Sequence, residues 1–227
     1  VRHPMTLPLA ALLLTSSALS AAAEPVFNRI ASFPVALNLP EGVDRDSETS
    51  AEIIAASSDG TMLVYSDSPH GGIGFIDITD AKAPKAAGYV AFEGEPTSVA
   101  MAGANVLVGL RTSDSKTDPA GDLAAVSLSG HAVVARCELG GQPDSVAVSP
   151  DGTMAAVAIE NERDEELNDG ALPQLPAGYV VLLALSNGLP DCESLRKVDV
   201  TGLAEIAPED PEPEFVAFND ANELAVT

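Results

Sequence analysis

Residues 142–160 carry the clearest pattern of apolar and polar positions in the chain. Two short apolar runs, 145–149 and 153–159, flank the sequence Ser-Pro-Asp-Gly at 149–152. Proline presets the φ angle of a turn, aspartate hydrogen-bonds to nearby backbone, and glycine accepts positive φ. Two apolar runs joined in this way predict a β-hairpin.

Weaker copies of this pattern occur upstream, and they predict further short antiparallel strands. Apolar runs alternate with polar turns, and no stretch shows the period of an amphipathic helix. The runs before residue 142 fall into two sets of four. The predicted strands are 51–56, 61–65, 73–78, 87–92, 98–102, 106–110, 123–128 and 131–139.

A junction motif indicates that these sets are repeats. Glu-Pro-Thr-Ser-Val-Ala at 95–100 aligns with Gln-Pro-Asp-Ser-Val-Ala at 142–147, and more loosely with Glu-Pro-Glu-Phe-Val-Ala at 212–217. Their prolines stand 47 and 70 residues apart, the longer step containing an insertion, and propeller blades repeat every 40–50 residues. The sequence predicts an all-β fold, a β-propeller of four-stranded antiparallel blades at 51–227, with about three blades and the start of a fourth. A β-sandwich or a stack of unrelated hairpins is the alternative.

The first 23 residues have the features of a secretory signal peptide. They combine Arg2 and His3 with an apolar stretch and the small residues Ala-Ala-Ala at 21–23. We therefore expect cleavage before Glu24; an N-terminal membrane anchor is the alternative, although the apolar run is short for a span.

The segments at the two ends of the strand pattern, 24–50 and 225–227, predict a longer protein. Residues 24–50 are expected to form a strand at 27–35 and a connecting loop rich in acidic residues, proline and serine. The sequence stops within an apolar run at 225–227, which would leave an unpaired strand edge. We expect an N-terminal part of a longer chain, in which strand 27–35 completes the last blade of the ring.

Charge limits the partners that the chain can take. It has 34 acidic and 11 basic residues, a net charge of −23. Such a surface repels nucleic-acid phosphates and anionic lipid heads, whereas it suits divalent cations or basic partners. We expect no nucleic-acid partner and, after signal removal, no membrane span.

The two cysteines add information on the compartment. Cys137 and Cys192 are 55 residues apart, and an exported chain reaches an oxidising environment. We expect a disulfide between them in a periplasmic or secreted protein. Two buried free thiols are the alternative, because the sequence does not give the Cα separation that a disulfide requires.

The insertion after residue 159 is the best candidate for a ligand site. Residues 160–169 carry six carboxylates and one arginine. Carboxylate and amide oxygens are the ligands that Ca²⁺ prefers, although the spacing is not that of an EF-hand. The predicted metal ligands are Glu160, Glu162, Asp164 and Asp169. A solvated acidic loop or a protein-docking loop is the alternative, and the proline-rich acidic run 205–214 is expected to be a solvated linker.

Catalytic motifs are absent from the sequence. It contains no nucleophile elbow, phosphate-binding loop, His-Glu-x-x-His, Cys-x-x-Cys or dinucleotide fingerprint. His70 precedes Gly-Gly and His131 follows Ser-Gly, so both are expected to be exposed turn residues. No catalytic residue is therefore assigned.

Four segments of the chain carry a family resemblance. They are Ala-Glu-Ile-Ile-Ala at 51–55, Gly-Phe-Ile-Asp-Ile-Thr at 74–79 with Pro84, Pro-Thr-Ser-Val-Ala at 96–100, and Ile-Glu-Asn-Glu at 159–162 with Asn-Asp-Gly at 168–170. Together they resemble secreted bacterial propellers with YVTN-type blades, and more specifically the choice-of-anchor I family. The resemblance spans about residues 27–227. It implies an association with phytase-like or alkaline-phosphatase-like proteins, because relatives are often associated with such proteins.

Two hypotheses of function follow. The first is a secreted or periplasmic binding module that holds Ca²⁺ through its acidic loop. The second is part of a metal-dependent phosphoester hydrolase, in which bound metal would offset the charge of the phosphate.

Overall fold

A computed structural model describes residues 28–164 and 166–227 of the chain. The described residues form four antiparallel β-sheets, joined by loops and short 3₁₀ helices. The prediction of an all-β fold is therefore confirmed. The predicted signal at 1–23 lies outside the described residues.

The sheets follow one another along the chain. Sheet 1 contains β1 (Ile54–Ala56), β2 (Met62–Asp67), β3 (Gly72–Asp77) and β4 (Lys85–Ala91). Sheet 2 contains β5 (Glu95–Ala102), β6 (Asn105–Arg111), β7 (Gly121–Ser127) and β8 (Ala132–Glu138). Sheet 3 contains β9 (Gln142–Val148), β10 (Met154–Glu160), β11 (Tyr179–Ser186), β12 (Leu189–Pro190) and β13 (Arg196–Asp199). Sheet 4 contains β14 (Val216–Phe218) and β15 (Leu224–Val226).

Each strand in sheets 1 and 2 pairs with the next strand in sequence. Sheet 3 starts in the same way, but β11 pairs with both β13 and the short β12. Every predicted strand between residues 51 and 160 corresponds to an observed strand, although β1 is shorter than its predicted run.

The hairpin between β9 and β10 forms through the predicted turn chemistry. The carboxylate of Asp151 accepts hydrogen bonds from the amide of Thr153 at 3.0 Å and from its hydroxyl at 2.8 Å. Gly152 has a φ of 70°, which a side chain would disfavour. A hydrogen bond from the Ser149 hydroxyl has the largest effect on the pKa of Asp151. Together with the two bonds from Thr153, it lowers this pKa to about 2. Asp59 makes the same set of bonds between β1 and β2.

The sheets pack through alternate residues of their middle strands. Along β6, Val106 and Val108 join the core shared with sheet 1, whereas Leu107 joins the core shared with sheet 3. Along β10, Val157 faces sheet 2 and Ala158 packs with sheet 4. Successive side chains of a strand point to opposite faces, so these middle strands are buried on both sides. This explains why they are almost continuously apolar.

Two serine hydroxyls connect the first strands of neighbouring sheets. Ser98 on β5 accepts a hydrogen bond from the buried amide of Val146 on β9, at 3.0 Å. Ser145 on β9 accepts the corresponding bond from Val216 on β14, at 3.2 Å. The two serines occupy the same place in the junction motif, so the repeat in sequence is also a repeat of contacts.

The predicted strand at 27–35 is wrong for the residues that the structure describes. Residues 28–34 form no strand, and Val35–Asn38 is a 3₁₀ helix. The Asn38 side chain is buried against sheet 1 and donates to the Tyr65 hydroxyl at 3.2 Å and to the Phe75 carbonyl at 3.0 Å. Side-chain bonds therefore dock this segment onto the sheet in place of a backbone ladder.

A disulfide joins sheets 2 and 3. Cys137 lies on β8 and is buried, whereas Cys192 lies in the 3₁₀ helix that follows β12. The two Cα atoms are 5.3 Å apart, within the range that disulfides require.

Replacing Cys192 with serine should destabilise the protein. The bridge closes a loop of 55 residues, and the chain-entropy model gives about 4 kcal/mol for a loop of this length. Urea unfolding followed by circular dichroism should show an earlier midpoint for Cys192→Ser. Wild type in reducing agent serves as the matched comparison, and an unchanged midpoint in both samples would contradict this role.

Ser98→Ala should also lower the free energy of unfolding. The substitution leaves the buried amide of Val146 without its acceptor, at a cost of about 1–3 kcal/mol. The exposed Ser58 gives a control, since Ser58→Ala removes a hydroxyl from a turn surface. Equal urea midpoints for the two variants would show that the intersheet bond does not contribute.

Candidate functional site

An acidic cleft lies beside the first strands of sheets 2 and 3 and the segments that precede β1 and follow β2 of sheet 1. It encloses about 350 Å³. One arginine, Arg111, lies in its wall, together with uncharged polar side chains. The carboxylates that line it are those of Glu52, Glu95, Asp144, Glu160 and Glu162.

β-Bulges place two of the lining residues. The pairing of β5 with β6 skips Thr97, and the pairing of β9 with β10 skips Asp144. A bulge bends the strand and redirects the side chain of the extra residue. Both residues follow the proline of the junction motif, and both line the cleft. The repeated junction is therefore the local cause of the cleft.

Glu160 is the most perturbed carboxyl group of the cleft. Burial, followed by the charge of Asp144 and smaller effects of Glu162 and Glu212, raises its pKa to about 7. A hydrogen bond from the Gln142 amide to Glu160 Oε2, at 2.9 Å, opposes this shift. Glu160 thus exchanges a proton near neutral pH.

Asp144 has the same kind of environment. Burial and then the charge of Glu214 raise the pKa of its carboxyl group. Glu214 follows the proline of the third junction copy, at the position that Asp144 occupies in the second. Glu214, in the segment that precedes β14 of sheet 4, therefore adds to the negative charge that acts on the cleft.

Arg111 is held at one side of the cleft by acidic groups. Its guanidinium forms an ion pair with Glu95 and lies 3.9 Å from Glu162 and 3.7 Å from Asp114. Burial opposes its charge, but the hydrogen bond and charge of Glu95, with help from the other two acids, raise the pKa of Arg111. Lys116 adds a second cation, 3.3 Å from Glu162.

The four predicted metal ligands do not meet at one point. Glu160 and Glu162 line the cleft. Asp164 instead accepts a bond from the Glu166 amide within its own loop, and its amide donates to Gln174. Asp169 is exposed in a 3₁₀ helix. Within residues 28–164 and 166–227, no group of three or more His, Cys, Asp or Glu side chains is placed to hold a metal ion.

The expectation that 205–214 is a solvated linker is wrong at Asp210. This side chain is fully buried, accepts a bond from Asn161 and accepts another from the Gln174 amide at 2.9 Å. Arg163 lies 3.6 Å from the same carboxylate and pairs with Glu212. The run therefore anchors the acidic insertion beside the cleft.

The two histidines differ from each other. His70 is half-buried, and its Nε2 lies 3.1 Å from the Ser47 hydroxyl. His131 lies in the predicted turn between β7 and β8, but the expectation that it is exposed is wrong, because its ring is half-buried and stacks on Phe75 with centroids 4.2 Å apart. A Cβ atom on Gly88 would clash with the His131 ring, so His131 is a contact between sheets 1 and 2.

The fold and the cleft define a class of all-β protein built from successive, similar antiparallel sheets. The family model described as the choice-of-anchor I domain matches residues 52–207, and the chain belongs to that family. A comparison with curated proteins gave no match.

Two solved structures share the fold. Hydrazine synthase of Kuenenia stuttgartiensis is similar with a TM-score of 0.56 and 18% identity, over 83% of this chain and 45% of that chain. A candidate 6-phosphogluconolactonase of Bacteroides uniformis is similar with a TM-score of 0.53 and 16% identity, over 90% of this chain and 52% of that chain. The chain thus spans about half the length of these structures.

Family membership indicates a cell-surface or secreted protein. The disulfide between Cys137 and Cys192 fits an oxidising compartment. None of the helices in residues 28–164 and 166–227 has the length and apolar character needed to cross a membrane.

Glu160→Gln should flatten the pH dependence of stability between about pH 4.5 and 7. The pKa of Glu160 is raised from 4.5 to about 7 on folding, so the folded protein binds more protons than the unfolded chain in this window. This group therefore makes stability fall as the pH rises. Urea midpoints of the variant should fall less between these pH values than those of wild type.

Glu205→Gln provides the control for this measurement. Glu205 is exposed and lies outside the cleft, and the substitution removes the same charge. Its pH profile should parallel that of wild type. Parallel profiles for all three proteins would show that Glu160 does not titrate unusually.

Proposed function

We propose that this chain is a periplasmic or secreted binding module, part of a β-propeller, that binds a cationic ligand in its acidic cleft. The observation that carries the proposal is the concentration of five carboxylates around one cavity of about 350 Å³. Glu160, half-buried and with a raised pKa, is central to it. A cation near this group would stabilise the ionised carboxylates that otherwise repel each other.

The arrangement of the sheets supports the propeller. In sheets 1 and 2 the four strands pair in sequence order, and sheet 3 does the same from β9 to β11 before β11 pairs with both β12 and β13. The first strands of sheets 2 and 3 carry residues that line the cleft. In a propeller, first strands surround a central channel. The cleft would then be one part of the channel wall, and the remaining wall would come from further blades.

The chemistry of the cleft favours a cation over an anion. Its carboxylates outnumber its single arginine five to one. Ca²⁺ is one candidate, because Glu160 and Glu162 supply oxygen ligands, but Asp164 and Asp169 lie elsewhere. An ammonium or guanidinium group is the other candidate, since it pairs with separated carboxylates through several hydrogen bonds.

The phosphoester hydrolase remains the second hypothesis, from family resemblance alone. A phosphate group would be repelled by the five carboxylates unless cations lay between them. Among the described residues, no observation on the cleft specifically favours this activity over binding.

Calorimetric titration of the full chain with CaCl₂ and with Nα-acetyl-lysinamide tests the proposed function. At low salt and pH 8, at least one probe should bind wild type. Glu160→Gln should weaken binding at least about tenfold, since a lost charge-assisted bond costs about 1.5–3 kcal/mol. Glu205→Gln, with the same change in net charge, should bind like wild type.

The pH dependence gives an independent check. Binding should weaken as the pH falls from 8 to 6, because Glu160 takes up a proton over this range and loses its charge. A wild-type protein that binds neither probe, or equal losses in both variants, would refute the cleft as a cation site.

A further inference from the structure

Sheet 4 differs from the other sheets in the pairing of its second strand. In sheets 1, 2 and 3 the second strands β2, β6 and β10 each pair with a strand on both sides. Within residues 28–164 and 166–227, the second strand of sheet 4, β15, pairs with β14 alone. The other side of β15, its open edge, therefore presents backbone groups that can pair with a further strand.

The register of the hairpin identifies the backbone groups on the open edge. The amide of Thr227 and the carbonyl of Glu223 both hydrogen-bond across the hairpin, at 3.0 Å in each case. Inward and outward positions alternate along an antiparallel strand, so Ala225 also directs its N–H and C=O groups to β14. The corresponding groups of Leu224 and Val226 point to the open edge.

A mostly apolar groove adjoins β15. It encloses about 360 Å³, and Val226 lines it together with Val200, Leu203 and Ile206. Leu203 and Ile206 are 78% and 86% exposed, more than any other large hydrophobic side chain of the described residues. Exposed apolar patches mark interaction surfaces. An added strand uses such a surface by pairing its backbone with the edge while alternate side chains enter the groove.

β15 itself has the sequence that this edge and groove can accept. A second β15, antiparallel about a twofold axis at Ala225, would set Leu224 of one copy opposite Val226 of the other and form about four backbone hydrogen bonds. Opposed residues point to the same face of a sheet, so each copy would bring Leu224 beside the groove of the other. Glu223 would lie opposite Thr227, so no like charges would be opposed.

We propose that the open edge of β15 and its groove are an interaction surface for a second copy of this chain, through which the two copies of sheet 4 join into one four-stranded antiparallel sheet. Sheets 1 and 2 have the same number of strands. The proposal is independent of the acidic cleft and its ligand. The contact is short and each chain carries a net charge of −23, so we expect a weak dimer that strengthens as salt screens the repulsion.

Two engineered cysteines test the position of the contact. Ala225 and Ala217 are both exposed and lie opposite each other in sheet 4. In the dimer the two copies of Ala225 would form a non-hydrogen-bonded pair with Cα atoms about 4.5 Å apart, which a disulfide can span. The two copies of Ala217 would lie three strand spacings apart, about 14 Å, which is too far.

The full chain with Ala225→Cys should therefore form disulfide-linked dimers in oxidised glutathione. Non-reducing gels should show cross-linking at least about tenfold faster than for Ala217→Cys, because the paired strands raise the effective concentration of the two thiols. The native cysteines are already joined to each other, so the introduced thiol is the one that reacts. Equal rates for the two variants would overturn the proposal.

Sedimentation velocity of the full chain tests the association itself. Wild type should shift from monomer to dimer as its concentration rises, and more strongly in higher salt. Val226→Pro removes an amide from the open edge but none from the ladder with β14, and should weaken the dimer at least about tenfold.

A second pair of variants keeps the test decisive if Val226→Pro does not fold, which circular dichroism would show. Ile206→Ser changes the groove and should weaken the dimer, whereas Ile30→Ser changes an exposed isoleucine outside the groove and should not. A wild type that stays monomeric at every concentration and salt, or equal effects of the two serine variants, would overturn the proposal. So would a monomeric chain that binds an added peptide with the β7 sequence, because the edge would then belong to a third strand from another segment.

Discussion

The structure depends on the bulge at the start of its repeated sheets. At Thr97 and Asp144 an extra residue interrupts the ladder with the neighbouring strand. The next residue in each repeat is a serine whose hydroxyl accepts a bond from a buried amide of the following sheet. Because a buried amide without a partner is costly, the position of the bulge and the spacing between sheets are fixed together.

This arrangement also determines where charge can lie. The middle strands are buried on both faces, so their side chains must be apolar. Acidic residues are left to the strand ends and loops, several of which converge on the cleft. Burial of these carboxyl groups, and then the repulsion between their like charges, opposes ionisation there, and the raised pKa of Glu160 is the result. The proposed binding of a cation would relieve this repulsion.

The elements governed by local chemistry were predictable from the sequence, whereas long-range polar contacts were not. Alternating apolar runs and Asp-Gly turns identified the strands between residues 51 and 160. The buried Asp210 could not be foreseen, because its partner Asn161 is 49 residues away and only folding brings them together. Only half of the candidate ligand set lies in the cleft; Asp144 was missed, although proline at a strand start is itself a signal for a bulge.

Alignment of the repeats identifies one position of the junction motif that contributes to the cleft. The residue after the junction proline is Thr97, Asp144 or Glu214. Thr97 and Asp144 line the cleft, and the charge of Glu214 contributes, after burial, to the raised pKa of Asp144. One position per repeat thus sets much of the local charge. Sequence change at that position would alter the charge of the cleft while the apolar strands and the intersheet serine bonds keep the fold, since the charge and the fold depend on different residues of the same motif.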